Sequence, residues 1–185
     1  VALSSRPMAP RGPRRIEPLF ALAGGAPMST LRYTAKLLAS PDGATLYSGH
    51  TDGLLRVWDA RTGEPRATWR APDTRSTIAL LALSPTGDRL VAAIDRALVV
   101  FDAARGAVVA SHAVLPGAAL SLAPVPGTEV VVVGADGGTA TVLTFDGDVR
   151  ATVRHGEAVL AVAASPGGRE FVTSGRVERA EVLRW

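Results

Sequence analysis

Few side chains in this sequence have the chemistry of a nucleophile, a general base or a soft metal ligand. The 185 residues include three histidines and no cysteine, so they can form neither a thiolate metal site nor a disulfide. His50-Thr51-Asp52 places two metal-ligand types close together, but an Asp directly before Gly53 is more typical of a tight turn. Ser111-His112 has no identifiable acid to complete a catalytic triad. We therefore predict no catalytic site, no metal site and no cofactor.

A glycine-rich stretch at 134–138, Gly-Ala-Asp-Gly-Gly, has the composition of a phosphate-binding loop. In such loops the glycines lead from a strand into a helix, whose first backbone amides hold the phosphate. Here the residues on both sides are typical of strands, and Asp136-Gly137 is a signal for a hairpin turn. We predict a turn at this position, and we expect no small-molecule substrate.

A second cluster has the residue types that are enriched at energetic centres of protein interfaces. It consists of Trp69, Arg70, Asp73 and Arg75, which lie close together in the sequence. Buried aromatic and arginine side chains contribute most of the binding energy in many interfaces. We predict that these four residues contact a partner protein.

The basic character of the chain is confined to its first residues. The formal net charge is +3, and residues 1–17 hold four arginines and one glutamate, so the rest of the chain is neutral overall. This Arg- and Pro-rich start has no apolar periodicity and is predicted to be a disordered basic tail. No apolar run approaches the roughly 18 residues that cross a membrane, so we expect no membrane contact.

The chain after the tail repeats a pattern about every 40–45 residues, a period typical of propellers and solenoids. The first landmark is a proline in a glycine-containing turn, found at Pro41, Pro85, Pro126 and Pro166. The second is an aromatic residue that is followed by Asp in three of its four occurrences, at Trp58-Asp59, Phe101-Asp102, Phe145-Asp146 and Trp185. These landmarks divide the chain into units at about 31–72, 73–115, 116–156 and 157–185.

Within the units the apolar runs are short, β-branched and bounded by Gly, Pro, Asp or Ser, which predicts strands and not helices. The predicted strands are 33–39, 45–48, 54–59, 66–70, 78–83, 90–94, 98–101, 108–114, 119–123, 129–133, 139–145, 149–153, 159–164, 171–173 and 180–185. The apolar run at 18–23 is a candidate for one more. We predict a single all-β domain over 18–185.

Unit one resembles the WD (Trp-Asp) repeat, which forms one blade of a β-propeller. The matching residues are Ser40-Pro41-Asp42-Gly43, Ser48-Gly49, Asp52-Gly53, Arg56-Val57-Trp58-Asp59 and Thr62-Gly63. Stretches 84–88 and 165–168 are similar to the first inter-strand turn of the family. The resemblance covers about residues 31–185 and implies a propeller of four-stranded antiparallel blades, about four of them in this chain.

The resemblance also implies a buried network of His, Ser or Thr, Asp and Trp, which many blades of the family carry, and an aromatic-Asp pair that closes the third strand of each blade. The candidate residues are Ser48, Asp52, Trp58 and Asp59 in unit one, Asp95, Phe101 and Asp102 in unit two, His112, Asp136, Phe145 and Asp146 in unit three, and His155, Ser174 and Trp185 in unit four. His50 falls in a different loop from the family's histidine. No unit offers the complete set, so we expect the fold without a fully formed network.

Unit four has one strand fewer than the others, and three arrangements account for this. The chain is a fragment of a larger ring, a half-ring that pairs with another chain, or a small closed ring in which strand 18–23 completes unit four. We favour the fragment. Ring closure matters because an open sheet edge exposes unpaired backbone groups.

Three functions are compatible with these features. The first is a non-catalytic intracellular scaffold, cytoplasmic or nuclear, that binds other proteins through the loop faces of the propeller. The second is a nucleolar subunit of a particle that processes ribosomal RNA, because residues 14–18 with 24–25, and later 48–50, 55–59 and 69–70, are similar to a WD-repeat subunit of the small-subunit processome. The third is a propeller enzyme of the quinoprotein type, which three scattered histidines support least.

Overall fold

A computed structural model of the chain describes residues 34–72, 76–112, 115–175 and 180–184. The described residues contain fifteen β-strands and no helix. The strands are β1 Thr34–Ala39, β2 Thr45–His50, β3 Leu54–Asp59, β4 Pro65–Arg70, β5 Ile78–Leu83, β6 Arg89–Ile94, β7 Ala97–Asp102, β8 Val108–His112, β9 Ala119–Pro124, β10 Val130–Ala135, β11 Thr139–Thr144, β12 Val149–Arg154, β13 Ala161–Ala164, β14 Glu170–Ser174 and β15 Ala180–Arg184.

Consecutive strands pair into four antiparallel sheets. The first three sheets have four strands each, in the orders β1-β2-β3-β4, β5-β6-β7-β8 and β9-β10-β11-β12, and the fourth has β13-β14-β15. Strands that are adjacent in sequence are adjacent in space, so each sheet is a simple meander built from hairpins. The predicted all-β class and four-stranded antiparallel units are confirmed.

One type of turn joins the first two strands of a sheet. In the first sheet the Ser40 hydroxyl accepts a hydrogen bond from the Thr45 amide at 2.9 Å, and the Gly43 amide donates to the Ser40 carbonyl at 2.9 Å. Gly43 has a φ of 70°, a conformation that costs glycine little. The same serine-to-amide bond recurs at Ser84–Arg89 and Ser165–Glu170. We call the end of the sheets that carries these turns and the four repeated prolines the proline end.

The core lies between the sheets. The innermost strands pack side by side in chain order, β1 beside β5, β5 beside β9 and β9 beside β13. Leu55 of the first sheet and Leu90 of the second belong to one buried cluster, and Val132 of the third sheet meets Phe171 of the fourth in another. A third cluster fills the space between the second and third sheets. Because each sheet is covered mainly by its neighbours, burial depends on sheet-to-sheet contact.

All fifteen predicted strands occur in the predicted order, with ends that differ by at most two residues. Differences of two residues occur at β2, which continues to His50, at β10, which continues to Ala135, and at β13, which begins at Ala161. The predicted tail at 1–17 and the strand at 18–23 lie outside the described residues, as does Trp185.

The aromatic landmark of unit three occupies a different position from the one that its spacing predicts. Strand pairing places Trp58 opposite Leu46, Phe101 opposite Leu90, and Leu143 opposite Val131, so Leu143 is the counterpart of Trp58 and Phe101. Phe145 lies after the end of β11, where its amide donates a hydrogen bond to the Glu129 carbonyl. The amides of Ala60 and Ala103 make the equivalent hydrogen bonds in the first and second sheets. Phe145-Asp146 therefore does not close a third strand, which corrects the prediction for that pair.

Candidate functional site

The predicted network of the first sheet is built around the hydroxyl of Ser48. Trp58 donates a hydrogen bond from its indole Nε1 to Ser48 Oγ at 2.8 Å, and His50 Nε2 lies 2.7 Å from the same oxygen. The side chains of Ser48 and His50 are buried. One hydroxyl therefore ties the second strand of the sheet to the third.

The position assigned to His50 from the sequence was wrong. His50 is the last residue of β2, and side chains two residues apart on a strand point to the same face. Its imidazole therefore reaches Ser48 from within the same strand. The first sheet obtains its histidine from β2 itself.

Asp52 holds the adjoining β2–β3 turn and pairs with Arg56. Its carboxylate accepts hydrogen bonds from the Leu54 amide at 3.0 Å and from the Arg56 guanidinium at 2.8 Å. Partial burial opposes ionisation of Asp52, but the hydrogen bond from Arg56 and that from the Leu54 amide outweigh it and lower the pKa of the carboxyl group. The predicted contribution of Asp52 thus takes the form of a turn and an ion pair beside the Ser48 network.

The aspartates that follow Trp58 and Phe101 organise the next turn at the proline end. Asp59 Oδ1 accepts hydrogen bonds from the amides of Arg61 and Thr62, both at 2.9 Å. Asp102 Oδ1 makes the equivalent bonds to the next turn, at 3.0 and 2.9 Å. The Thr62 amide, the Arg66 guanidinium and the Arg61 amide together hold the pKa of Asp59 well below its usual range.

In the third sheet a threonine, and not an aspartate, accepts the hydrogen bond that holds the turn after the third strand. Thr144 is the counterpart of Asp59 by strand pairing, and its hydroxyl accepts a hydrogen bond from the Asp148 amide at 3.0 Å. Asp146 is exposed and pairs with Arg89 of the second sheet, with Arg89 Nε 3.2 Å from Asp146 Oδ1. Asp146 thus links two sheets at the proline end.

Asp95 and Asp136, two further predicted blade residues, lie at the opposite end of the sheets. Asp95 and Asp136 are exposed residues of hairpin turns, and Asp95 has a φ of 54°. Gly137 approaches the Pro116 carbonyl so closely that a Cβ there would lie 2.6 Å from it. The glycine-rich stretch is therefore a close-packed hairpin turn, as predicted.

The fourth sheet takes its histidine from the link that precedes it. A Cβ added at Gly175, the counterpart of His50, would lie 2.7 Å from His155 Cε1. Pairing of Val172 with Val182 and of Thr173 with Glu181 makes Thr173, and not Ser174, the counterpart of Ser48. Thr173 Oγ1 and both ring nitrogens of His155 are buried without a hydrogen-bond partner. An imidazole ring thus occupies the same position in the first and fourth sheets. It comes from β2 in the first sheet and from the link before β13 in the fourth.

Trp69, predicted to contact a partner, packs between the first and second sheets. Its ring centroid lies 6.0 Å from that of Tyr47 and 5.9 Å from that of Phe101, with which it stacks at 26°. A Cβ added at Gly106 would overlap the Trp69 indole. Arg70 is exposed at the end of β4, while Asp73 and Arg75 lie outside the described residues. The structure therefore uses Trp69 as a core residue between sheets.

An apolar cleft opens at the proline end where the first three sheets meet. It has a volume of 460 Å³ and is lined by residues of the inner strands and their turns, among them Leu38, Leu81, Pro41, Pro85 and Pro126. Three of the four repeated prolines therefore surround one concave surface. Such a surface suits an apolar side chain or a short apolar segment of a partner.

A second cleft, of 580 Å³, lies beside the first at the proline end, between the first and second sheets. Asp42, Asp88 and Asp102 line it, and Pro41 belongs to the rims of both clefts. The Ser40 hydroxyl holds the pKa of Asp42 low, and the Thr86 and Ser84 hydroxyls do the same for Asp88. The carboxylates of Asp42 and Asp88 are thus held ionised next to an apolar surface.

No metal-binding cluster of three or more His, Asp or Glu side chains occurs within the described ranges. Nor does any helix of that part of the chain have the length and apolar character needed to cross a membrane.

Comparisons with known proteins agree with this geometry. Residues 33–59 match the family described as WD domain, G-beta repeat. The structure is similar to a solved chain of the mitotic checkpoint complex, with a TM-score of 0.70 and 23% identity over 82% of this chain and 49% of that one. It is also similar to the RRP9 WD40 repeats (TM-score 0.70, 21% identity, 83% of this chain and 53% of that one) and to U3-55K (0.69, 21%, 83% and 54%).

The chain spans about half the length of each of these solved chains. At these identities the likeness shows the fold, and 1399 solved chains share it, so shape alone selects no partner. A comparison with curated protein sequences gave no significant match.

Proposed function

We propose that this chain, which carries a WD repeat within the fold of the WD-repeat β-propellers, is a non-catalytic scaffold that binds other proteins inside the cell. WD-repeat proteins are in general scaffolds that present loop-lined faces to partners. In this chain the proline end is the better candidate for a binding face. Its turns are held by the serine and aspartate hydrogen bonds described above, so the surface is pre-organised.

The observation that carries this proposal is the pair of adjoining clefts at the proline end. One is apolar and bordered by Pro41, Pro85 and Pro126, and the other holds Asp42, Asp88 and Asp102. A partner segment with an apolar anchor followed by a basic residue would fill the first cleft and pair with the carboxylates of the second. Complementary charge of this kind contributes mainly to specificity and to the rate of association.

Peptide selection followed by calorimetry tests this function. Peptides from a displayed library are selected on the whole chain, and their affinities are measured for the wild type, Asp42→Lys, Pro85→Arg and Glu157→Lys. Asp42 and Pro85 border the clefts, whereas Glu157 is an exposed residue of the link at the opposite end, and its change alters the charge as Asp42→Lys does. We expect weaker binding, by about tenfold or more, for the two cleft variants only. Equal affinities for all four proteins would contradict binding at the proline end.

The contact role of the exposed Arg70, and of Asp73 and Arg75, remains a proposal for a second binding surface at the opposite end. Arg70→Glu in the same calorimetric series measures it. If Arg70→Glu weakens the binding of a selected peptide and Asp42→Lys does not, the binding face lies at the opposite end.

An RNA-processing particle is the second candidate, favoured by the similarity in fold to U3-55K and by the arginines of residues 1–17. If those arginines bind phosphates, the affinity for a structured RNA should fall steeply with salt. Replacing Arg6, Arg11, Arg14 and Arg15 with Gln should then reduce both the affinity and its salt dependence. An RNA affinity that these changes leave unaltered would reject this candidate.

A further inference from the structure

The strand β12 forms the outer edge of the third sheet, because among the described strands it pairs with β11 alone. The whole sheet lies within the continuously described residues 115–175. The His155 amide, just after β12, donates a hydrogen bond to the Gly138 carbonyl opposite it at 2.8 Å. Backbone groups alternate in direction along a strand, so the amides and carbonyls of Thr152 and Arg154 point away from β11. This edge therefore offers backbone hydrogen bonds to a further strand.

The outer strands of the first and third sheets carry one sequence pattern in the same register, Arg-Ala-Thr-Trp-Arg at 66–70 and Arg-Ala-Thr-Val-Arg at 150–154. In the first sheet Arg66 pairs with Asp59. In the third sheet the counterpart of Asp59 is Thr144, so Arg150 has no carboxylate at the equivalent position. Neither Arg150 nor Arg154 forms an ion pair with any residue of the described ranges. The edge of the third sheet is therefore cationic, and both of its arginines are exposed.

The spacing of these arginines disfavours pairing between two copies of β12. In an antiparallel pair centred on Thr152, Arg150 of each copy would lie opposite Arg154 of the other, and like charges directly opposite each other are destabilising. A segment with acidic residues at the two corresponding positions would instead form two pairs of opposite charge. The strand itself contains no acidic residue, since the nearest in the sequence, Asp148 and Glu157, lie beyond its two ends. The charge of β12 thus matches an acidic segment better than a second copy.

We propose that β12 binds an extended acidic segment of a partner protein, which adds a fifth strand to the third sheet. Backbone hydrogen bonds supply affinity in this mode of recognition, and side chains at alternate positions supply specificity. Here two carboxylates, four residues apart in the partner, pair with Arg150 and Arg154. Neither cleft of the proline end is lined by a residue of β12, so this inference holds or fails separately from binding there.

Titration of the complete chain with two fluorescent peptides tests the charge preference. The first peptide has two glutamates four residues apart, separated by valine and threonine, and the second has lysine in place of each glutamate. We expect the glutamate peptide to bind about tenfold more tightly or better, because each opposite-charge pair becomes a like-charge pair in the lysine peptide. Equal affinities would overturn the proposal, as would the absence of binding by the glutamate peptide.

Two N-methylated forms of the glutamate peptide test the strand geometry. The methyl groups occupy alternate amides, one set in the first form and the other set in the second. Only one set of amides faces β12 in an added strand, so one form should lose binding by about tenfold or more and the other should retain it. An equal loss in both forms would show that the peptide does not bind as a strand.

Charge reversal in the protein locates the site. Replacing both Arg150 and Arg154 with Glu should weaken the glutamate peptide by about tenfold or more and make the lysine peptide the tighter ligand. A folding defect cannot produce this reversal of preference. Arg61→Glu is the charge-matched control, because Arg61 is exposed in a turn of the first sheet, and it should leave both affinities within about twofold, as should Asp42→Lys. An affinity that the double change leaves unaltered would overturn the proposal, because it places the site elsewhere.

Discussion

Ser48 is the residue on which the hydrogen bonds of the first sheet converge. Replacing Ser48 with Ala removes the acceptor of the Trp58 indole and the partner of His50 from a buried site. We expect the free energy of unfolding to fall by about 1–3 kcal/mol, because buried polar groups lose a hydrogen bond that water cannot replace. Urea denaturation monitored by circular dichroism measures this loss.

Ser111→Ala provides the matched control. Ser111 is exposed on β8, the outermost strand of the second sheet, so the same chemical change should alter the free energy of unfolding by less than about 0.5 kcal/mol. Equal effects of the two substitutions would show that the Ser48 hydroxyl contributes nothing specific.

Asp59 should make the stability of the first sheet depend on pH. Hydrogen bonds from the Thr62 amide, the Arg66 guanidinium and the Arg61 amide depress the pKa of Asp59 in the folded chain below the ordinary value of 3.8. A depressed folded-state pKa gives stability that is present above the unfolded-state pKa and is lost as the pH falls through and below it. We therefore expect the chain to lose stability on acidification from about pH 5 downward.

Asp59→Asn isolates the part of this loss that is due to ionisation. The amide oxygen of Asn can still accept the hydrogen bonds of the turn, but the side chain no longer titrates. The variant should be less stable than the wild type near pH 7 and should lose less stability on acidification. Parallel pH profiles for the two proteins would contradict the assignment of the depressed pKa to Asp59.

The sequence motif identified Ser48, Trp58 and Asp59 correctly as neighbours of one hairpin because strand pairing follows from the pattern within about twenty residues. It did not identify the role of His50, which depends on β2 continuing for two more residues than predicted. The burial of Trp69 was also beyond the sequence, since Tyr47 lies in a different strand and Phe101 in the next sheet. Contacts between sheets depend on how the sheets stack, which periodicity does not specify.

Contact between the first and second sheets depends on a glycine under the Trp69 indole. Gly106 and Gly43 have the same φ of 70°, but a Cβ would overlap Trp69 only at Gly106 and would meet open space at Gly43. Gly43→Ala should therefore show only the backbone strain, about 1–3 kcal/mol. Gly106→Ala should show that strain and, in addition, the cost of displacing Trp69. Thermal or urea unfolding of both variants measures the difference.

A double substitution identifies the source of that difference. If Trp69 is responsible, Gly106→Ala should cost less in a Trp69→Ala background than in the wild type, because the overlapping ring is absent. Equal costs in the two backgrounds would contradict direct contact between Gly106 and Trp69.

The third sheet shows why landmark spacing predicts strands better than it predicts register. Leu143, an aliphatic residue, occupies the register position that Trp58 and Phe101 hold in the first two sheets. The repeat was traced by aromatic residues, so it assigned this position to Phe145, the aromatic residue two positions later. Phe145 is nevertheless buried, because it lies at the end of the cluster between the second and third sheets. The burial of Phe145 was therefore predicted correctly from its residue type, but its position in the strand register was not.

The arrangement of the four sheets explains which structural properties could be predicted from the number of sequence repeats. The repeat predicted the number of sheets and their strand order, because each sheet is a local meander. It did not show that Val172 and Leu37 are exposed where their counterparts are buried, since exposure depends on the neighbours of each sheet. The described sheets therefore have two kinds of exposed surface, the loop-lined ends and the apolar faces that carry Leu37 and Val172.

Hydrogen-exchange protection is the most direct test of the claim that the proline end is the partner-binding face. Exchange of backbone amides is followed in the free chain and in complex with a selected peptide. We predict slower exchange on binding at residues 40–45, 84–89 and 125–130, whose turns border the two clefts. Slower exchange confined to residues 51–54, 95–97 and 136–139, the hairpin turns of the opposite end, would contradict it.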